Sequence, residues 1–172
     1  LGVAAMIRVG NQKGLKNFNE LRRIAQSIFL LTFLLEIVFA ILFLVGRNWF
    51  PTIYLDLDDA LNLKDNTEVI ALAAQLVFVA AFFQISDGVQ VVVLGALRGL
   101  QDVKIPTIIT FIAYWLIGFP VSYYLGLHTE WGSVGIWMGL LVGLTASAIM
   151  LYIRFNYLTK KLIRKEAVSV SS

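Results

Sequence analysis

The stretch VIALAAQLVFVAAFFQISDGVQVVVLGAL, Val69 to Leu97, runs 29 residues with one charged side chain, Asp87. A helix needs ~20 consecutive apolar residues to cross ~30 Å of hydrocarbon, so this stretch reads as a transmembrane span. At ~1.5 Å per residue it makes about 43 Å of helix, which must tilt, bend or project beyond the bilayer. Asn66-Thr67-Glu68, immediately before it, reads as an N-terminal cap.

Three further spans flank it: Ser27 to Gly46, roughly Thr107 to Gly126, and Gly132 to Ile153. Pro106 suits the first turn of the third span, where a missing N–H costs nothing. Pro120 lies inside that span and is expected to bend it. The opening residues, Leu1 to Ile7, look like the tail of a hydrophobic helix, and the chain reads as a fragment. Arg8 follows that apolar run, whereas a signal peptide carries its basic residues before it.

The whole composition agrees with this pattern. The 172 residues are 59% hydrophobic and 15% charged, with mean hydropathy +0.80, against ~45–50% apolar and ~25% charged in soluble domains. The fold class is therefore all-α, a polytopic transmembrane helix bundle with four complete spans and the end of a preceding one. The chain has no Cys and only His128. Disulfide scaffolds, thiol nucleophiles and histidine metal clusters are thereby excluded. No nucleophile and base pair stands at recognisable spacing, so no enzyme and no cofactor is expected.

Cytoplasmic flanks of membrane proteins retain Lys and Arg, which sets the orientation. Arg8, Lys13, Lys16, Arg22 and Arg23 share one side with Arg98, Lys104 and the basic tail of residues 158–172, preceded by Arg154. Arg47 and Lys64 stand on the other side, among Asp56, Asp58, Asp59, Asp65 and Glu68. Both ends of the chain are expected to be cytoplasmic, in an integral protein of the plasma or bacterial inner membrane. Trp49, Phe50, Tyr54, Tyr123, Tyr124 and Trp131 fall near the outer interface and read as an aromatic belt. The basic tail serves orientation and secondarily lipid headgroups, with no nucleic-acid partner expected.

Two carboxylates sit within apolar runs. Asp87 lies about 16 Å along a helix from Arg98, near mid-membrane, and Glu36 lies at similar depth before Gly46. A charge there costs ~2.5–3.5 kcal/mol on insertion scales, so such residues usually face a bundle interior or an aqueous cavity. Gln84, Asp87 and Gln90 recur at i, i+3, i+6 as a polar stripe, which favours a cavity lining and a functional Asp87 over a structural interhelical hydrogen bond. The neighbours of Glu36 add no polar group, so a packed, neutral glutamate accounts for it equally well. Desolvation favours the protonated carboxyl and a nearby cation favours the carboxylate. One such group can therefore exchange a proton for a cation, and substrate binding is then expected to weaken as pH falls.

Glycines make a second pattern. Gly135, Gly139, Gly143 and Ser147 recur every four residues, and Gly95-x-x-x-Gly99 closes the second span, which reads as close helix packing. Other motifs fail. Gly10 to Gly14 is neither a dinucleotide nor a P-loop fingerprint, and Asp56-x-Asp58-Asp59 lacks the glycine and terminal glutamate of a calcium loop.

Taken together, Arg8-Val9-Gly10 with Gly14, Gln84-x-x-Asp87-Gly88-x-Gln90, Gly95-Ala96-Leu97-Arg98-Gly99-x-x-Asp102, Pro106, Tyr114-Trp115-x-x-Gly118-x-Pro120, Gly135-x-Trp137-x-Gly139 and Gly143-Leu144-Thr145 resemble a known family. It is the multidrug and toxin extrusion (MATE) transporters, particularly the NorM type, in their C-terminal lobe. The resemblance runs from Leu1 to about Tyr157. It implies a twelve-helix, two-lobe fold of which this chain supplies the end of helix 8 through helix 12, residues 1–157, with the N-terminal lobe as missing partner. It also implies antiport of cationic or aromatic drugs against H⁺ or Na⁺. Asp87 matches the family's acidic residue on helix 10 and so a possible Na⁺ ligand, in a site whose helix-7 glutamate would precede Leu1. Phe83 stands where NorM-type proteins often carry Tyr. Glu36 matches no site of the family, and Arg98 and Asp102 match a loop signature expected to pair with each other. The alternatives are a related lipid-linked oligosaccharide flippase, against which the peripheral placement of Lys and Arg counts, and a non-transporting scaffold or half-protein.

Overall fold

The computed structural model describes residues 1–50 and 63–171, apart from the side chains of 63–68 and 169–171. Tyr54, Asp56, Asp58 and Asp59 lie outside the described residues, as do the side chains of Lys64, Asp65 and Glu68. In chain order the elements are α1 (Gly2–Gly14), α2 (Phe18–Gly46), α3 (Leu63–Gly99), α4 (Lys104–Ile112), a π-helical segment (Ala113–Gly118), α5 (Phe119–Leu127) and α6 (Gly132–Ser171). Among the described residues, four stretches are long and apolar enough to cross a membrane: Phe18–Gly46, Val69–Gly99, Lys104–Leu127 and Gly132–Val168.

The helices run past the apolar stretches at their polar ends. α2 starts at Phe18, well before Ser27, since the Asn17 side chain accepts a hydrogen bond from the Glu20 N–H at 3.2 Å and caps the helix. α3 starts at Leu63, so Asn66 sits inside its first turns and is not the expected cap. Asn and Thr cost well under ~1 kcal/mol in a helix interior, so they need not end one. α6 continues unbroken through the basic tail to Ser171. Pro120 neither breaks nor ends the third span. It sits in the first turn of α5, directly after the π-helical segment. The wider turn absorbs the lost N–H and the ring clash that proline imposes on a regular helix.

α3 is the central helix, packed against α1, α2 and α6, while α5 and the π segment lie along α6. One core fills the end of the bundle that carries Arg8, Arg98 and Arg154. There Val9, Leu21, Ala25, Val93, Leu97, Leu151 and Phe155 are buried, with Phe29 edge-on to Phe155 at 5.1 Å. Two left-handed corners stand at this end, Lys16 at φ 56° after α1 and Gln101 at φ 61° after α3. Lys13 ties the second corner to α1, its Nζ donating to Leu100 O at 2.7 Å and Gln101 Oε1 at 2.9 Å.

Asp102 does not pair with Arg98 as the sequence suggests. Its Oδ2 accepts from Arg154 Nε on α6 at 2.9 Å, both side chains being about four-fifths buried. Left-handed Gln101 turns the chain between Arg98 and Asp102, and aims the carboxylate across to α6. Removing one partner of a partly buried pair costs between the exposed and fully buried limits, about 1–3 kcal/mol. Asp102→Ala is therefore expected to lower the thermal midpoint of the purified protein, and Arg98→Ala to leave it in place. Equal behaviour of the two variants contradicts this pairing.

Candidate functional site

The intramembrane carboxylates come together where α2 crosses α3. A Cβ built on Gly88 would lie 2.5 Å from Glu36 Oε1 and 2.6 Å from its Cγ, so the Glu36 side chain occupies the space that the glycine leaves open. The carboxyl of Glu36 thus seats against the α3 backbone at the residue following Asp87. Its main-chain carbonyl accepts from Gln84 Nε2 at 3.2 Å. The polar neighbours that α2 lacks in sequence are supplied by α3.

The polar stripe on α3 fans out. At ~100° per residue, Gln84 and Gln90 point about 120° apart with Asp87 midway. Gln84 turns to α2, while Gln90, buried, accepts from the Tyr114 hydroxyl at 3.0 Å. Tyr114 belongs to the π-helical segment, a departure from regular helix that often accompanies function. Glu36 and Tyr114 both lie within electrostatic reach of Asp87. Glu36, Gln84, Asp87, Gln90 and Tyr114 are therefore linked neighbour to neighbour within the apolar spans. Tyr114 carries no role in the sequence reading beyond its motif. The signal for it is Gln90 itself, because a glutamine on a membrane helix needs a partner on another.

Two expectations change. Asp87 is exposed on the surface of the described bundle, whereas the sequence places it in the interior or in an aqueous cavity. α1 packs along the same side: Gly2 meets Val91 and Gly95, about one and two turns along α3 from Asp87. Three cavities along other faces of α3 leave out Asp87, Gln84 and Gln90. Phe83 directs its ring to Trp137 of α6, edge-on with centroids 5.8 Å apart. It occupies the turn before Asp87 as part of an aromatic contact.

The glycines hold the elements around this cluster. Gly95 and Gly99 receive the α1 backbone at Gly2 and Met6, and Gly135, Gly139 and Gly143 receive Leu125, Ser122 and Gly118 of the third span. The last contact fixes the π segment, and with it Tyr114, against α6. Tyr114→Phe leaves the buried Gln90 oxygen without its donor, a loss of about 1 kcal/mol for a hydrogen bond within a membrane bundle. A lowered thermal midpoint in detergent is expected. An unchanged midpoint means that the bond carries no stability.

An all-helical bundle with four apolar spans and a polar cluster at mid-depth defines an integral, multi-pass membrane protein. The MatE family profile matches residues 1–124, and the chain belongs to that family. It is 39% identical over 163 residues to the multidrug resistance protein NorM of Photobacterium profundum, covering 92% of this chain and 34% of that protein. Against the multidrug resistance protein MdtK of Proteus mirabilis the identity is 38% over 166 residues, covering 94% and 34%. The chain thus spans about a third of the length of the curated relatives it matches. Its fold is similar to the crystal structure of a eukaryotic MATE transporter, with TM-score 0.77 at 22% identity over 95% of this chain and 36% of that one. A MATE family transporter in an inward-facing conformation gives TM-score 0.78 at 15% identity, with the same coverage of both chains.

Proposed function

We propose that this chain acts as part of a secondary multidrug efflux antiporter, exporting cationic or aromatic compounds in exchange for H⁺ or Na⁺. The observation that carries the reading is the seating of Glu36 on Gly88 beside Asp87, in a chain related along nine-tenths of its length to NorM and MdtK. Two carboxylates held together in low dielectric repel each other unless a proton or a cation joins them. Neutralising the cluster by one or the other gives two states of opposite occupancy, the minimum an exchanger needs. Gln90 and Tyr114 add neutral oxygens that suit a hard monovalent cation, and Phe83 with Trp137 offers ring faces to an organic one.

In this reading both ends of the chain face the cytoplasm. Residues 1–157 form the C-terminal lobe from the end of helix 8 to helix 12. The N-terminal lobe supplies the opposite wall of the drug path. The relatives are named as multidrug resistance proteins, and the reading is accordingly one of transport and not of catalysis. The test is accumulation of a fluorescent aromatic cation in inverted membrane vesicles containing the natural polypeptide that carries this sequence. Accumulation that collapses with the ion gradient supports antiport. Gradient-independent accumulation, or none, favours a scaffold.

A further inference from the structure

The face of α3 turned away from Asp87 carries a second feature. Phe78 and Asp87 are about 180° apart on the helix, and Phe78 lines a 680 Å³ cavity at the end of the bundle where α2 stops and α6 starts. That cavity shares Phe78, Val79 and Met138 with a 440 Å³ cavity, which in turn shares Ile85, Ser86 and Thr145 with one of 540 Å³. The three make one groove along α3 between α2 and α6. Its mid-depth hydroxyls, Ser86 and Thr145, satisfy each other at 2.9 Å. What remains along its lower walls is almost wholly apolar.

The mouth is different. Arg47 and Glu130 line it together, both exposed, with Trp131 next to Glu130 and the Arg47 guanidinium over the Phe78 ring at 5.9 Å. The geometry points to a bound phospholipid of the leaflet on this side, whose headgroup carries both a phosphate and a free ammonium, an ethanolamine type. Arg47 supplies the fork that matches a phosphate, and Glu130 accepts from the ammonium. A glycerol headgroup gives Glu130 no cation, and a choline headgroup gives it no N–H donor. A small soluble zwitterion satisfies the mouth but leaves the apolar length empty. The depth also fits. Leu141, on the wall of the second cavity, stands about 15 Å along α6 from Trp131, half of the ~30 Å hydrocarbon thickness. The part of the groove within one leaflet therefore matches the reach of one lipid, and Phe82 remains open on its side at 44% exposure. None of this depends on Asp87 coupling ions.

The test is native mass spectrometry of the natural polypeptide carrying this sequence, in mild detergent with palmitoyl-oleoyl phosphatidylethanolamine, phosphatidylcholine and phosphatidylglycerol in turn. The ethanolamine lipid is expected to be retained about tenfold more than the glycerol lipid, a difference near 1.4 kcal/mol. Arg47→Ala is expected to abolish the preference, Arg47→Lys to keep part of it, and Glu130→Gln to shift retention toward the glycerol lipid. Met138→Trp, which fills the groove below the mouth, is expected to lower retention of all three without changing their order. Equal retention of the lipids by the unaltered protein overturns the inference. So does a preference that survives both Arg47→Ala and Glu130→Gln.

Discussion

Gly139→Val is expected to yield almost no folded protein. A Cβ at this position falls onto the Ser122 backbone nitrogen and Cα, atoms that cannot rotate away as a side-chain tip can. Ser122 is pinned in turn, since its hydroxyl donates to Ile136 O at 3.0 Å, which holds α5 to α6 at the same level. Inserting methyl groups into a packed contact costs ~1–3 kcal/mol where neighbours can shift. Here they are main-chain atoms of a second helix, so the loss is expected at or beyond the upper end of that range. Displacing α5 also releases the π segment and Tyr114. The readout is the monodisperse fraction on size-exclusion chromatography, with Gly14→Ala as control because a Cβ there meets nothing within 4 Å. Normal yield of Gly139→Val contradicts the packing described for α5 and α6.

Asp87→Asn is expected to do the reverse, leaving folding intact and removing function. No hydrogen bond holds Asp87 among the described residues and Asn has nearly its shape, so the replacement opens no cavity, and it removes a charge close to Glu36. The thermal midpoint should hold or rise slightly. Export of an aromatic cation by cells expressing the full natural polypeptide is expected to fall more than tenfold, the scale of ~1.4 kcal/mol or more in coupling. Asp87→Glu, which keeps the charge but lengthens the arm, is expected to fall between the two. Undiminished export by Asp87→Asn removes Asp87 from the mechanism.

Much of this was legible in the chain because hydropathy needs no tertiary knowledge. The four spans follow from run length alone, and Asp87 and Glu36 stand out because charge in an apolar run is costly. What escaped depends on contacts between distant residues. Asp102 has Arg98 four places away as an obvious partner, and only the left-handed Gln101 turns it to Arg154. Glu36 reads as isolated because its polar surroundings belong to α3, where its side chain lies against Gly88. Tyr114 reads as one more aromatic in an aromatic-rich span until Gln90 is seen to need a partner. Helix ends are hidden for a related reason: apolar runs mark the hydrocarbon, whereas α2 begins at its Asn17 cap and α3 is already helical through the polar turns after Leu63.

In the proposed antiport, the cluster of Glu36, Asp87, Gln90 and Tyr114 exchanges a small cation for a drug. The most direct test reconstitutes the natural polypeptide carrying this sequence in liposomes loaded with labelled Na⁺ or a proton-sensitive dye. An aromatic cation is then added on the side from which it is carried. One of these ions is expected to move opposite to the drug and in proportion to it, both movements being abolished in Asp87→Asn. Drug movement without any counterflow of H⁺ or Na⁺, or counterflow that persists in Asp87→Asn, contradicts it.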